Sequence, residues 1–419
     1  MSKEVWVVAA SRTPIGRFQG HFSSLTAPEL GSIAIAGTLK RTDTTADIVD
    51  EVYMGNVLSA GCGQAPARQA ALGAGLPVNI GCTTLNKVCG SGMKAVMLAY
   101  DSILLNRNHV VIAGGMESMT NAPYLQKQAR AGQRLGHNTS YDHMFIDGLE
   151  DAYEGKLMGV YAQAIADREK VTRHSMDKWA IMSAERALAA QELGWFKEEI
   201  TPVNLPSKGR GSGGNQSICI NSDELPPEIN LSKISHLKPA FSANGSVTAA
   251  NSSAISDGAA ALMLMDADSA RKEGLSPLAI IKGHTTHARR PDEFTIAPAF
   301  AIQTLLDELG WSTGDVDSWE INEAFAVVTQ LAIKQLGLMP ERVNTDGGAC
   351  ALGHPIGATG ARILVTLIHR LNRLQKHTAK PVKGIAALCI GGGEATAMAI
   401  EVPVSEKASF SELDGGDDD

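Results

Sequence analysis

Read as a pattern of apolar and polar positions, the chain alternates short apolar runs with longer amphipathic ones. Val5 to Ala10 is apolar and closes in the turn Ser11-Arg12-Thr13-Pro14. The spacing that follows predicts a helix over Pro28 to Leu39 and a strand over Ile48 to Val57. A glycine-rich connection leads to Asn86-Lys87-Val88-Cys89-Gly90-Ser91-Gly92-Met93, which runs directly into the helix-forming stretch Lys94 to Leu105. His109 to Ala113 reads as an apolar strand that Gly114-Gly115 would stop. Alternation of this kind predicts an α/β fold with a mostly parallel sheet covered on both faces.

The character changes at Thr120. Residues 120–251 are more polar, with a predicted helix over Ser175 to Leu193 and a loose run from Ser207 to Ser217, and they read as an insertion lying over the first sheet. The α/β pattern resumes at Asp257 and continues to about Val402. The expected organisation is a first half from 1–119 and 252–275, the insertion at 120–251, a second half at 276–404, and a disordered acidic tail at 405–419.

The two α/β regions also repeat each other. Val49-Asp50-Glu51-Val52-Tyr53-Met54-Gly55-Asn56 has a counterpart in Val316-Asp317-Ser318-Trp319-Glu320-Ile321-Asn322-Glu323. Each is followed by a glycine-rich segment that opens a helix, the first bearing Cys89 and the second His354. Gly114-Gly115-Met116-Glu117 and Gly391-Gly392-Gly393-Glu394 supply a third match in the same order. Duplicated halves would meet with these glycine-rich ends facing one crevice.

Composition narrows the classes. A chain of 419 residues, 44% hydrophobic and 20% charged, exceeds what one core organises. A net charge of -8 without a long basic run argues against nucleic acid as a partner, and no apolar stretch is long enough to span a membrane. The six cysteines show neither a C-x-x-C pair nor zinc-finger spacing, which favours free thiols in a reducing compartment over disulfides or a metal site. Without a signal-peptide or transit pattern at the start, a cytoplasmic location is expected.

Four stretches carry candidate chemistry. Cys89, in what reads as the first turn of a helix, would face free N–H groups and the positive end of the dipole, which favours thiolate; Gly90 and Gly92 admit a ligand close to the sulfur. Gly347 to Gly360 is too glycine-rich for a core element and delivers His354, a candidate base, just ahead of a helix. Cys389-Ile390-Gly391-Gly392-Gly393 ends the apolar strand Gly384 to Leu388 with a thiol and backbone donors suited to an oxyanion hole. Asn322-Glu323-Ala324-Phe325 offers a side-chain amide at a strand end.

These motifs, in this order, resemble the thiolases, and within that family the chain is most similar to acetyl-CoA acetyltransferases. The resemblance runs from Val5 to Val402. It implies a thiolase fold, two duplicated βαβαβαββ halves in a five-layered αβαβα arrangement with an inserted loop domain that binds coenzyme A. It also implies that Cys89 forms an acyl-enzyme, that His354 takes the thiol proton, and that Cys389 moves the proton at the α-carbon of acetyl-CoA. One oxyanion hole would come from His354 and a water on Asn322, the other from the N–H groups of Cys89 and Gly391. Lys208 and Arg210 match a basic motif of the loop domain, Ser253 a serine that meets pantetheine. No cofactor is implied, since acetyl-CoA, acetoacetyl-CoA and CoA are substrates and products; a homotetramer is.

Two departures bear on specificity. Lys156-Leu157-Met158-Gly159 carries leucine where many short-chain members have histidine, beside Met158 at the acyl site. Phe294-Thr295 stands where a Met-Gly pair is common, so Phe294 is expected to narrow or redirect the acyl pocket. Thiolysis of longer or branched 3-oxoacyl-CoA is the alternative activity. A cysteine hydrolase would leave Cys389 and the loop domain unexplained, and a non-enzymatic scaffold would predict loss of one of the four chemical residues.

Overall fold

The computed structural model describes residues 3–206 and 217–404. The acidic tail and most of the polar run after Ser207 lie outside the described residues, as do Lys208 and Arg210. The first half runs β1 (Val5–Arg12), α1 (Ala27–Leu39), β2 (Glu51–Gly55), α2 (Pro66–Gly73), β3 (Gly81–Leu85), α3 (Ser91–Leu104) and β4 (Val110–Ser118). The insertion, with α4 (Met158–Arg168) and α5 (Arg173–Glu192), precedes β5 (Ser256–Asp266). The second half runs β6 (Ala279–Ala288), α6 (Ala297–Leu309), β7 (Ser318–Ile321), α7 (Ala326–Leu336), α8 (Thr359–Gln375), β8 (Val382–Ile390) and β9 (Glu394–Val402). Local signals place these elements: α1, for instance, starts at a capping box between Thr26 and Glu29 with a proline in its first turn.

The strands lie in the order β7-β8-β9-β6-β1-β5-β4-β2-β3, a duplicated path that meets at the antiparallel pair β1 and β6. A parallel bridge from Trp319 to Val343 occupies the place that β3 fills in the first half. Only β2 with β3, β2 with β4, and β7 with β8 are parallel; the other neighbours among these strands are antiparallel. The expectation of a mostly parallel sheet is therefore corrected. The insertion brings β5 back antiparallel beside β4, and β8 and β9 form a hairpin, which cannot be parallel.

Helices α3 and α8 fill the middle layer. Met93, Val96, Leu364 and Ile368 pack there with Val111 and Leu262 of the first half and Leu388 and Met398 of the second. Helices α1 and α2 cover the outer face of the first half, and α6 and α7 that of the second, completing five αβαβα layers. The two central helices cross at Gly92 and Gly360. A Cβ at Gly92 would lie 2.8 Å from the Ala361 nitrogen, and one at Gly360 2.4 Å from the Met93 nitrogen. Only glycine permits that approach.

Three further expectations change. Gly114-Gly115 does not end a strand, because β4 continues through it to Ser118. A Cβ at Gly114 would sit 2.0 Å from the Ala260 carbonyl oxygen and one at Gly115 2.1 Å from that of Gly357, so these glycines admit neighbours. Register also undoes the third repeat match: Val52 pairs with Ile112 and its counterpart Trp319 with Ile385, which sets Glu117 against Ile390. Gly391-Gly392-Gly393 is instead the β8–β9 turn. Finally, the insertion packs chiefly on the second half, where Tyr161, Ile165 and Trp179 join the core of Ile302 and Val328. Its longest helix, α5, buries Met176 and Trp179 in that core, and its Ser175 carbonyl accepts from Gln330 Nε2 of α7 at 2.7 Å.

The insertion is tied to the first half by Arg12. This fully buried guanidinium meets Glu199 at 2.6 Å and Asp223 at 2.6 and 2.9 Å. Removing the cation strands two buried carboxylates, so Arg12→Ala is expected to cost roughly 3–5 kcal/mol. Urea denaturation monitored by circular dichroism measures it, and an unchanged midpoint would contradict the account.

Candidate active site

Cys89 sits on a strained turn. Val88, a β-branched residue, holds φ at 47°, a conformation that costs energy and persists only when its surroundings enforce it. The enforcement is visible. Asn86 Oδ1 accepts the Val88 N–H at 2.8 Å, while Ser91 Oγ accepts the Lys87 N–H at 2.8 Å and donates to the Val88 carbonyl at 2.7 Å. Cys89 itself precedes the helix cap Gly90 rather than lying in the first turn of α3.

The thiol is not depressed as expected. Burial pushes it up to about 11, while the N–H groups of Cys89 and Gly391, which point at the sulfur, act in the opposite direction. Desolvation of a thiolate outweighs two donors. Cys89 therefore rests as a thiol at neutral pH and needs a base.

That base is built by the loop ahead of α8. The His354 N–H donates to the Ala254 carbonyl at 3.0 Å. Its Nδ1 lies 2.6 Å from Thr359 Oγ1, which in turn donates to the Pro355 carbonyl at 2.9 Å. With its own proton committed, the Thr359 oxygen accepts, so Nδ1 carries the ring hydrogen and Nε2 presents its lone pair. Nε2 is buried and has no partner among the described residues. Burial first, and then the Arg362 charge, lower His354 to about 3, keeping the imidazole neutral.

Cys89, His354, Cys389 and Gly391 line one cavity of about 520 Å³. Its other walls are mostly apolar. The insertion supplies Phe145, Leu157, Met158 and Phe241, and the core supplies Phe294 and Phe325, whose rings meet edge to face at 6.2 Å. Ser253 also borders the cavity, held by its N–H to the Ala324 carbonyl at 2.9 Å. Burial pushes the Cys389 thiol well above its ordinary value.

Asn322 does not line the cavity. It is 1% exposed, and its N–H donates to Ala387 on β8 at 2.9 Å, two residues before Cys389. Both atoms of its side-chain amide lack partners among the described residues. Sequence reasoning missed Thr359, the strained Val88 and the aromatic wall of Phe241 and Phe325. A hydroxyl five positions after a candidate base was a signal available for the first; a lone β-branched residue gives none for the second.

Two thiols, a neutral imidazole with a free acceptor nitrogen, and two convergent N–H groups can support covalent acyl transfer at the meeting of two α/β halves. The thiolase N-terminal domain matches residues 5–268 and the thiolase C-terminal domain residues 275–402. The chain belongs to the thiolase family. It is 48% identical over 412 residues to acetyl-CoA acetyltransferase 1 of Arabidopsis thaliana, spanning 98% of this chain and 97% of that protein. It is 47% identical over 402 residues to acetyl-CoA acetyltransferase of Schizosaccharomyces pombe, spanning 96% and 99%. The crystal structure of Acat5 thiolase from Ascaris suum in complex with coenzyme A matches with a TM-score of 0.88 at 38% identity, over 95% of this chain and 99% of that one.

Thr359→Val removes the acceptor that fixes the His354 tautomer, and alkylation of Cys89 by iodoacetamide at pH 7 is expected to slow roughly tenfold. Thr359→Ser should alkylate like the parent; equal rates for all three would exclude the tautomer role. A second expectation follows from linkage. His354 lies at about 3 when folded and about 6.5 when unfolded, so its contribution is present above pH 6.5 and is lost as pH falls. His354→Asn should therefore lose less stability than the parent between pH 7 and pH 4.5 in urea titrations.

Proposed function

We propose that this protein is an acetyl-CoA C-acetyltransferase, condensing two acetyl-CoA into acetoacetyl-CoA and CoA, reversibly, through an acyl-enzyme on Cys89. The observation that carries the reading is the convergence of two thiols and the unpartnered Nε2 of His354 on one apolar cavity. Cys89 attacks the thioester carbon of acetyl-CoA, His354 takes the thiol proton, and that proton leaves with the departing CoA thiolate. Cys389 then passes its thiol proton to His354 and, as the thiolate, removes a proton from the methyl group of a second acetyl-CoA. The enolate attacks the acyl-enzyme, and the expelled Cys89 thiolate takes the proton back from His354.

The neutral state of His354 suits the first step, since an imidazolium could not accept the thiol proton. The N–H groups of Cys89 and Gly391 would hold the acyl-enzyme oxyanion, each such donor contributing about 3 kcal/mol to transition-state stability. Asn322 would hold a water for the enolate oxygen, and its unsatisfied amide supports that role. Coenzyme A thioesters are the substrates, with no resident cofactor. Met158, Phe294 and Ser253, which border the cavity, would contact the acyl and pantetheine parts, and Lys208 and Arg210 would meet the nucleotide. Under this reading the protein works in the cytosol as a homotetramer; its six free cysteines fit a reducing compartment.

The breadth of the apolar wall favours one alternative, thiolysis of longer or branched 3-oxoacyl-CoA by the same residues. Cleavage of acetoacetyl-CoA, measured beside longer and 2-methyl-branched substrates as kcat/KM, decides between them. A strong preference for acetoacetyl-CoA is expected. Better rates with longer chains would shift the assignment to the alternative, and cleavage of none would overturn both. In partial reactions, Cys89→Ala should abolish acyl-enzyme formation, whereas Cys389→Ala should spare acylation and block condensation.

A further inference from the structure

Glu117 is a fully buried carboxylate on β4, beside the candidate site but outside the chemistry assigned to it. Its Oε1 accepts from Asn56 Nδ2 at 2.8 Å and the Leu58 N–H at 3.1 Å. Its Oε2 accepts from the Val57 N–H at 3.1 Å and the Gly357 N–H at 2.8 Å. Three of those donors belong to the first half, and the fourth belongs to the loop of the second half that carries His354. The partners are all uncharged. Amide donors alone repay the desolvation of a carboxylate poorly, and the neighbouring Asp257 charge adds to the cost, so that Glu117 is raised to about 7. A group held at such expense is poor evidence of a stabilising role.

The surroundings are shaped to this carboxylate. A Cβ at Gly357 would fall 2.5 Å from Glu117 Oε2, so the loop can lie against it only with glycine there. Val57 and Leu58, which it binds, and Ile356, next to its partner Gly357, belong to one apolar cluster against which Cys89 packs. Glu117 thus joins the surroundings of Cys89 to the loop of His354 across the boundary between halves. The opposite crossing is made by Glu394, at the start of β9, which pairs with Lys87, two residues before Cys89.

We propose that Glu117 is a positioning residue of the acyl-transfer reaction, holding the His354 loop in register with Cys89 through its shared hydrogen bonds to residues 56–58 and to Gly357. The inference rests on the function proposed above. Replacing the carboxylate by an amide turns one acceptor oxygen into a donor that faces other donors, and the loop shifts. A displacement of this kind in a site costs on the order of a hundredfold in rate.

The test is a double-mutant cycle in the full-length enzyme. Glu117→Gln should lower kcat for CoA-dependent cleavage of acetoacetyl-CoA on the order of a hundredfold with KM unchanged. Iodoacetamide alkylation of Cys89 at pH 7 should slow in parallel. The double variant with His354→Ala should lose no more than His354→Ala alone, since Glu117 acts through that residue. A near-parental kcat, or losses that multiply, would overturn the proposal. If Glu117→Gln fails to fold, Asn56→Ala carries the test: it removes one donor to Oε1, and a smaller loss, again absorbed by His354→Ala, is expected, while an unchanged or multiplying loss rejects it. A parental enzyme that cleaves no 3-oxoacyl-CoA would instead refute the function, and the alkylation cycle would still report on Glu117.

Discussion

The close crossing of α3 and α8 is the constraint from which the rest of the structure follows. Gly92 and Gly360 bring the backbones of the two helices within the reach of a single side-chain atom, and both helices start at that crossing. Each is preceded by the loop that bears a chemical group, Cys89 on one and His354 on the other. The proximity of thiol and imidazole is thus a packing result before it is a chemical one. The two half-sheets close over the helices from either side, and their interlocking apolar faces leave the crossing no freedom to slide.

Burial then sets the chemistry. In water, a cysteine and a histidine would both be near their titration midpoints at mildly alkaline and mildly acidic pH. Enclosed here, the thiol is driven up and the imidazole down, so both rest uncharged. Under the proposed function a proton passes between them as charge develops on an incoming substrate, and the N–H groups of Cys89 and Gly391, which point at the sulfur, would hold that charge. Neutrality at rest also spares the cavity an ion pair that would hold water.

Much of this was legible in the chain. The glycine-rich stretches around Cys89, His354 and Cys389 announced close approach, and the repeat around Val52 and Trp319 is matched by the register of both half-sheets. Helix α5 lies within two residues of its predicted bounds at each end. What failed shares one cause: a local pattern was asked to report a long-range contact. Gly114-Gly115 reads as a strand end in sequence, yet its glycines exist for Ala260 and Gly357, more than a hundred residues away. The direction of the Cys89 shift depends on enclosure by the insertion and the second half, which no window around Cys89 contains. The same holds for Glu117, whose partner Gly357 lies in the other half.

The position of β1 has a consequence for synthesis. It leaves the ribosome well before β5 and β6, whose residues begin at Ser256 and Ala279, yet it lies between them. At roughly 5–20 residues per second, the apolar run Val5 to Ala10 of β1 waits for tens of seconds before either neighbour exists. Sheet assembly cannot be completed in the order in which the chain is made, and the large sequence separation of its central contacts slows the final step as well. The nascent chain must therefore pass through a state with the edges of β1 uncovered, and its safe passage depends on what shields that strand in the cell.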